Sequence, residues 1–303
     1  MSNIVEIHGL NKSYEDVHAV KDLTFNIKEG EIFGFLGPNG AGKTTTIKCI
    51  TQLATMDEGS IKVSGYDVKD DYLEAREKIG LSQQEVNLDP YFSVIDTLEY
   101  AGGYFGIPKA EARRRCKRYL KKFDLFDKKD DDTRKLSGGM KRKLSIIKAL
   151  LHKPDILILD EPTAGLDVDS RYELWNFIKE QNKKGTTIIL TTHYIEEAEK
   201  LADRIGIINH GELIKLEEKS KIIDELSQNV ITLHLKKDVD IPDELKEVGA
   251  EKEGRIVNIQ TKKKDQHDTL RKALTILENN DIDLDNFEIE QDNLENIFRR
   301  IVQ

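Results

Sequence analysis

The chain has 303 residues, 38% of them apolar and 34% charged, with a formal net charge of −9. That length allows one large domain or two unequal ones, and the composition excludes a collagenous, low-complexity or disulfide-dense chain. The acidic balance argues against a nucleic-acid surface, no run approaches the roughly eighteen apolar residues of a membrane span, and residues 1–9 lack the charged start and apolar stretch of a secretion signal.

To about residue 218, short apolar runs alternate with helical patterns and glycine punctuation, which predicts an α/β domain on a largely parallel sheet. Strands are expected at 31–36, 155–160, 186–191 and 205–208, whose nearly continuous apolar character fits burial on both faces. Directly after the first comes Gly37-Pro38-Asn39-Gly40-Ala41-Gly42-Lys43-Thr44, a phosphate-binding loop pattern between strand and helix. Its glycines let the backbone aim N–H groups at phosphate oxygens, and the following helix adds the positive end of its dipole. Lys43 is placed to reach the β- and γ-phosphates and the Thr44 hydroxyl to ligate Mg²⁺. A glycine-rich turn alone would explain the glycines but not the Lys-Thr pair at that offset. Cys49 and Cys116 have no metal-ligand spacing and read as reduced thiols.

Between Gln84 and Leu136 the pattern turns helical. Ala112, Cys116, Tyr119, Leu120 and Phe123 recur at helix spacing, while Arg113, Arg114, Arg115, Lys117, Arg118, Lys121 and Lys122 fill the other face. Flanking acidic residues favour a solvated helix face over a nucleic-acid patch. Leu136-Ser137-Gly138-Gly139-Met140 precedes a helix, and its small residues leave backbone N–H groups free to hold an anion. Alone, Ser-Gly-Gly is a common loop. The run Ile156-Leu157-Ile158-Leu159-Asp160-Glu161-Pro162-Thr163 reads as a buried strand delivering two carboxylates to its carboxyl end, where open α/β sheets bind ligands. Asp160 is placed to hold Mg²⁺ and Glu161 to polarise an attacking water. In isolation the pair would be a helix cap before proline. Ala164-Gly165-Leu166-Asp167 follows, and Thr191-Thr192-His193 ends another apolar strand. Residues 216–221 are charged and aperiodic and read as a linker. Beyond them, strands are expected at 230–235, 255–260 and 282–290, with helices at 268–278 and 294–302.

Together these motifs resemble the ABC ATPase family over residues 1 to about 218. The resemblance implies an α/β P-loop ABC ATPase domain at 1–218, with a mostly parallel sheet and a helical subdomain, followed by a small α+β accessory or regulatory domain at 222–303. It implies that residues Gly37 through Thr45, Thr45 included, cradle ATP, that Thr44, Asp160 and Gln84 hold Mg²⁺, and that Glu161, His193 and Gln84 serve the chemistry. Gln83 stands where proline is usual in the family, so Gln83 and Gln84 remain alternatives for the glutamine that senses Mg²⁺ and the transmembrane partner. Tyr14 matches the aromatic that stacks on adenine. Ser137, Gly138 and Gly139 match the signature that holds the γ-phosphate bound by the other subunit of an ATP-dependent dimer, formed with itself or a related subunit. Asp167 matches the loop coupling the two sites, and His193 the switch that contacts the γ-phosphate.

Residues 34–46 resemble the branch serving drug, peptide-antibiotic, polysaccharide and sodium exporters. So does Asp292-Asn293-Leu294-Glu295-Asn296-Ile297-Phe298, with Asn296 where Asp is usual. The implied function is ATP hydrolysis that energises transport, in the export direction, through a separate transmembrane permease at the cytoplasmic face of the membrane, with no nucleic-acid partner. The alternative is a soluble ABC ATPase acting on ribosomes or DNA. Ribosome-binding relatives carry two ATPase units and this chain has one, while the interval from Thr44 to Leu136 is too short for the coiled coils of chromosome ATPases.

Overall fold

The computed structural model describes residues 2–226, 228–262, 265–290 and 294–302. The chain forms two compact units, Met1–Glu217 and Glu218–Gln303, each with its own sheet and core.

In the first unit, β1 (Asn3–Tyr14) and β2 (Val17–Lys28) form a long hairpin. Leu23, Phe25 and Ile27 alternate inward along β2, the period of a half-exposed strand. β3 (Ile32–Leu36) is buried at every residue and runs into the phosphate loop and α1 (Lys43–Ile50). β4 (Glu58–Val63) and β5 (Tyr66–Asp67) complete a four-stranded antiparallel sheet of order β2-β1-β4-β5. After α2 (Tyr72–Glu77) and β6 (Ile79–Ser82), a helical layer follows with α3 (Val94–Tyr104), α4 (Lys109–Lys122) and α5 (Gly138–Leu150). β7 (Ile156–Asp160), α6 (Val168–Lys183), β8 (Thr187–Thr192), α7 (Ile195–Leu201), β9 (Arg204–Asn209) and β10 (Glu212–Glu218) finish the unit. The central sheet has the order β10-β9-β3-β8-β7-β6, and the pairs from β9 through β6 are parallel.

Alternation along β7 explains its unbroken apolar sequence. Ile156 and Ile158 pack with Phe33 and Phe35 toward the antiparallel sheet, whereas Leu157 and Leu159 pack toward the helices with Leu144, Ile147 and Leu174. Each such side chain contributes about 1.5–3 kcal/mol on burial, which fixes the strand from both faces. The basic face of α4 is laced with ion pairs: Arg113 with Glu99, and Arg114 and Arg115 with Glu111. Cys49 and Cys116 are free and buried, and burial pushes their thiols up to about 11 and about 12.

Residues 216–221, expected as a linker, are ordered secondary structure. Leu216 belongs to β10 and packs against the core, and α8 (Lys219–Leu226) begins immediately after that strand. The second unit continues with β11 (Gln228–Leu235), α9 (Asp243–Glu247), β12 (Ala250–Glu253), β13 (Ile256–Lys262), α10 (Gln266–Asn279), β14 (Leu284–Glu290) and α11 (Leu294–Val302). Its antiparallel sheet, of order β12-β13-β11-β14, buries Ile231, Leu233, Val257 and Ile259 together with Ala273 and Leu277 of α10. On α11, Leu294 and Ile297 are buried and Phe298 and Ile301 half-buried. Asp292 and Asn293, the start of the closing motif, lie outside the described residues.

Candidate active site

The phosphate loop owes its shape to close approaches that admit no side chain. A Cβ on Gly37 would stand 2.4 Å from the Ile208 carbonyl of β9. One on Gly42, at φ +108°, would stand 2.5 Å from the Ala19 carbonyl. Pro38, Asn39 and Gly40 lie at the outer turn, with Asn39 and Gly40 exposed, and Ala41 and Gly42 return the chain to the core. Lys43 is buried at 6% exposure, and its Nζ donates to the carbonyls of Gly37 (2.6 Å) and Pro38 (3.1 Å). Burial pulls its ammonium below the ordinary lysine value, while Glu161 and Asp160 act in the opposite direction. Thr44 and Thr45 sit half-buried in the first turn of α1.

Two carboxylates meet this loop from the end of β7. Thr44 Oγ1 donates to Asp160 Oδ2 at 3.1 Å, and the Thr191 hydroxyl donates to Asp160 Oδ1. Glu161, 3% exposed, adopts a left-handed backbone at φ 50°. Its N–H donates to the Thr191 carbonyl (3.0 Å), which anchors that turn to β8. Its carboxylate lies 3.9 Å from Lys43 Nζ and 2.8 Å from His193 Nδ1, and Oε2 accepts no aligned hydrogen bond. The residues at 43, 44, 160, 161 and 193 are therefore one cluster.

The remaining motifs sit on helix starts and loops. Ser137 caps α5, its Oγ accepting from Met140 N at 3.2 Å, with Gly138 and Gly139 in the first turn. A Cβ on Gly139 would stand 3.2 Å from Leu166 Cδ2, so the signature borders the Ala164–Asp167 loop. Asp167 caps α6 by accepting from Ser170 N and Oγ, and those bonds hold its carboxyl below the usual range. Gln83 and Gln84 line the same cavity of about 320 Å³ with Thr44 and Asp160. Tyr14 is half-exposed on the hairpin that supplies Ala19 to the phosphate loop, with Lys12 Nζ 5.3 Å from its ring.

A profile described as ABC transporter matches residues 20–164. The linearmycin resistance ATP-binding protein of Bacillus subtilis (strain 168) is 40% identical over 228 residues, covering 75% of this chain and 73% of that protein. The chain belongs to the ABC transporter family. Within it, this is an ATP-binding, ATP-hydrolysing subunit. The Nod factor export ATP-binding protein I of Ralstonia nicotianae is 38% identical over 76% of this chain and 72% of that one. Among solved structures, an ATP-binding subunit of an ABC transporter matches at 31% identity and TM-score 0.69, over 73% of this chain and 92% of its own. A dimeric ATP-binding cassette in a post-hydrolysis state with ADP and Pi matches at 29% and 0.66, over 71% and 98%.

Two buried charged groups of this ABC subunit were not among the expected site residues. Arg142, 6% exposed, donates to the carbonyls of Gln83 and Gln84, both at 2.5 Å, and so fastens the glutamine loop to α5. Its spacing to Ile146 and Ala149 puts it on the buried face, a signal present in the sequence. Glu197, fully buried on α7, comes four residues after His193 and shares a face with Leu201.

Proposed function

We propose that this ABC subunit binds ATP with Mg²⁺, dimerises on it with a second copy or a related subunit, and drives export through a separate permease at the cytoplasmic face of the membrane. The relatives named for export and for resistance support the outward direction. The dimeric cassette structure supports the dimer. Among the described residues no helix is long and apolar enough to cross a membrane, which fits a pathway supplied by another chain. An apolar cleft of about 310 Å³ supports a protein partner on that face. It is lined by Tyr104, Phe105 and Ala101 and shares Leu53 and Leu81 with the glutamine-loop cavity.

In this reading Lys43 and the loop N–H groups of residues 37–45 hold the phosphates, and Tyr14 stacks on the adenine. Thr44 and Asp160 fit a hard divalent cation: a hydroxyl and a carboxylate already in contact, with Gln84 on the same cavity, and no dense acidic cage among the described residues. Bound there with the nucleotide, Mg²⁺ would neutralise charge on the phosphate oxygens. Glu161 accepts the proton of the attacking water, and His193 orients that carboxylate and meets the γ-phosphate. Ser137, Gly138 and Gly139 of one subunit complete the site of the other, and Asp167 lies at the coupling between them. The observation that carries the reading is the buried Glu161 carboxylate facing both Lys43 and His193. Glu161→Gln keeps the shape and removes the basicity, so steady-state turnover falls by about 10²–10⁴ while ATP binding, followed by equilibrium titration, survives. Turnover within a few-fold of wild type would remove Glu161 from the role of base.

A further inference from the structure

Glu197 is a charged-type residue with no place in the chemistry above, yet it is wholly enclosed. Three segments of the site converge on it. Trp175 of α6, the helix that Asp167 caps, donates its Nε1–H to Glu197 Oε1 at 3.2 Å. The hydroxyls of Thr192, directly before His193, and of Thr163, directly after Glu161-Pro162, act on the same carboxyl. Glu197 Oε2 and Thr163 Oγ1 are both buried and both without an aligned hydrogen-bond partner. The Thr163 hydroxyl can donate to an ionised Oε2 or accept from a protonated one, so this pair can close in either state. Burial favours the neutral form, raising the carboxyl to about 7, with Glu161 the neighbouring charge that adds to the effect.

We propose that Glu197 is a positioning residue of the ATPase, a buried carboxyl that ties the turn through Thr163 to the switch turn through Thr192 and so sets Glu161 against His193. It is wholly enclosed, and the inference rests on the reading of Glu161 and His193 given above. Thr163 begins the turn that closes on Leu166, and Thr192 Oγ1 accepts from Tyr194 N at 2.9 Å, so each threonine is built into the backbone of its own catalytic loop. A hub between them moves both loops together.

The test compares Glu197→Gln, which can donate where the neutral acid donates, with Glu197→Leu, which keeps volume and loses every polar bond. Steady-state ATP hydrolysis by the intact chain at pH 6.5 gives kcat and KM, and nucleotide affinity is titrated separately. Glu197→Leu is expected to lose at least roughly ten-fold in kcat at unchanged ATP affinity, and Glu197→Gln to stay within about three-fold of wild type. If Glu197→Leu does not fold, Trp175→Phe carries the test, with a lower kcat at unchanged affinity. Equal losses in the Gln and Leu chains, a Leu chain with full kcat, or an unaltered kcat in Trp175→Phe overturns the proposal. An active Glu161→Gln chain would instead overturn the assignment of the base, and the two failures are read on different variants.

Discussion

The enclosed carboxyl also makes stability depend on pH in a way that can be calculated. Glu197 rises from the ordinary 4.5 to about 7, first because burial penalises the charged form, against the opposing hydroxyl and indole donors. The folded chain therefore holds this proton more tightly than the unfolded chain. The resulting stabilisation is fully present below pH 4.5 and is lost as pH rises through about 7. Across that whole interval it amounts to about 3 kcal/mol, of which about 1.4 kcal/mol disappears between pH 6 and pH 8. Glu197→Gln removes the titrating group while keeping the shape, so the wild-type chain loses that amount relative to the variant over the same range. Urea unfolding followed by tryptophan fluorescence reads it directly. Trp175 is the only tryptophan, lies in the first unit, and donates to Glu197 itself. A difference between the two chains that stays constant within about 0.5 kcal/mol from pH 6 to pH 8 would refute the assignment of a neutral, buried carboxyl.

Lys43→Ala should weaken ATP binding by roughly ten-fold or more in equilibrium titration, since a charge-assisted bond to phosphate is lost and Glu161 is left without its cationic neighbour. Mixing a Lys43→Ala chain with a Ser137→Arg chain should recover hydrolysis that neither shows alone; no recovery at any ratio, with both chains folded, counts against a site composed from two subunits. A chain ended after Glu218 should fold and bind ATP with near-normal affinity, because β10 closes the first unit there and α8 starts the second. An insoluble product of that cut would show that the units depend on each other to fold.

The central sheet was legible because burial on both faces removes polar residues from its strands, leaving runs such as Ile156-Leu157-Ile158-Leu159 between turn residues. The N-terminal antiparallel sheet was not among the expected strands, although β2 alternates cleanly. Its partner β1 carries register shifts between Ile7 and Leu10 and again beyond, which break the period that would announce it. The linker expected at 216–221 failed for a related reason. β10 is an outer strand with half-exposed side chains, and α8 follows without a turn, so neither period has room to show. The phosphate-loop pattern and the adjacent carboxylates, which the structure brings together at Thr44 and Asp160, stood out by their residue types in sequence order. The spacing of Arg142 marks it as buried, but the partners of Arg142 and Glu197, the Gln83 and Gln84 carbonyls and Trp175, become neighbours only through the fold.

Adjacent acidic residues would ordinarily be driven apart by a strand, whose successive side chains point to opposite faces. Asp160 and Glu161 escape that rule because the strand ends between them. Asp160 is the last residue of β7, and Glu161 takes the left-handed φ of 50°. For a residue with a Cβ that conformation costs about 1–2 kcal/mol, and its surroundings hold it: its N–H bonds the Thr191 carbonyl, and the next turn closes through Ala164 N onto the Glu161 carbonyl. The bend brings both carboxylates to one edge of the sheet but gives them different neighbours. Asp160 accepts from two hydroxyls, those of Thr44 and Thr191, which fix its carboxylate in place. Glu161 Oε2 is left with a histidine nitrogen at 2.8 Å and no aligned donor. The separate roles proposed for the two neighbouring acids rest on that single backbone torsion.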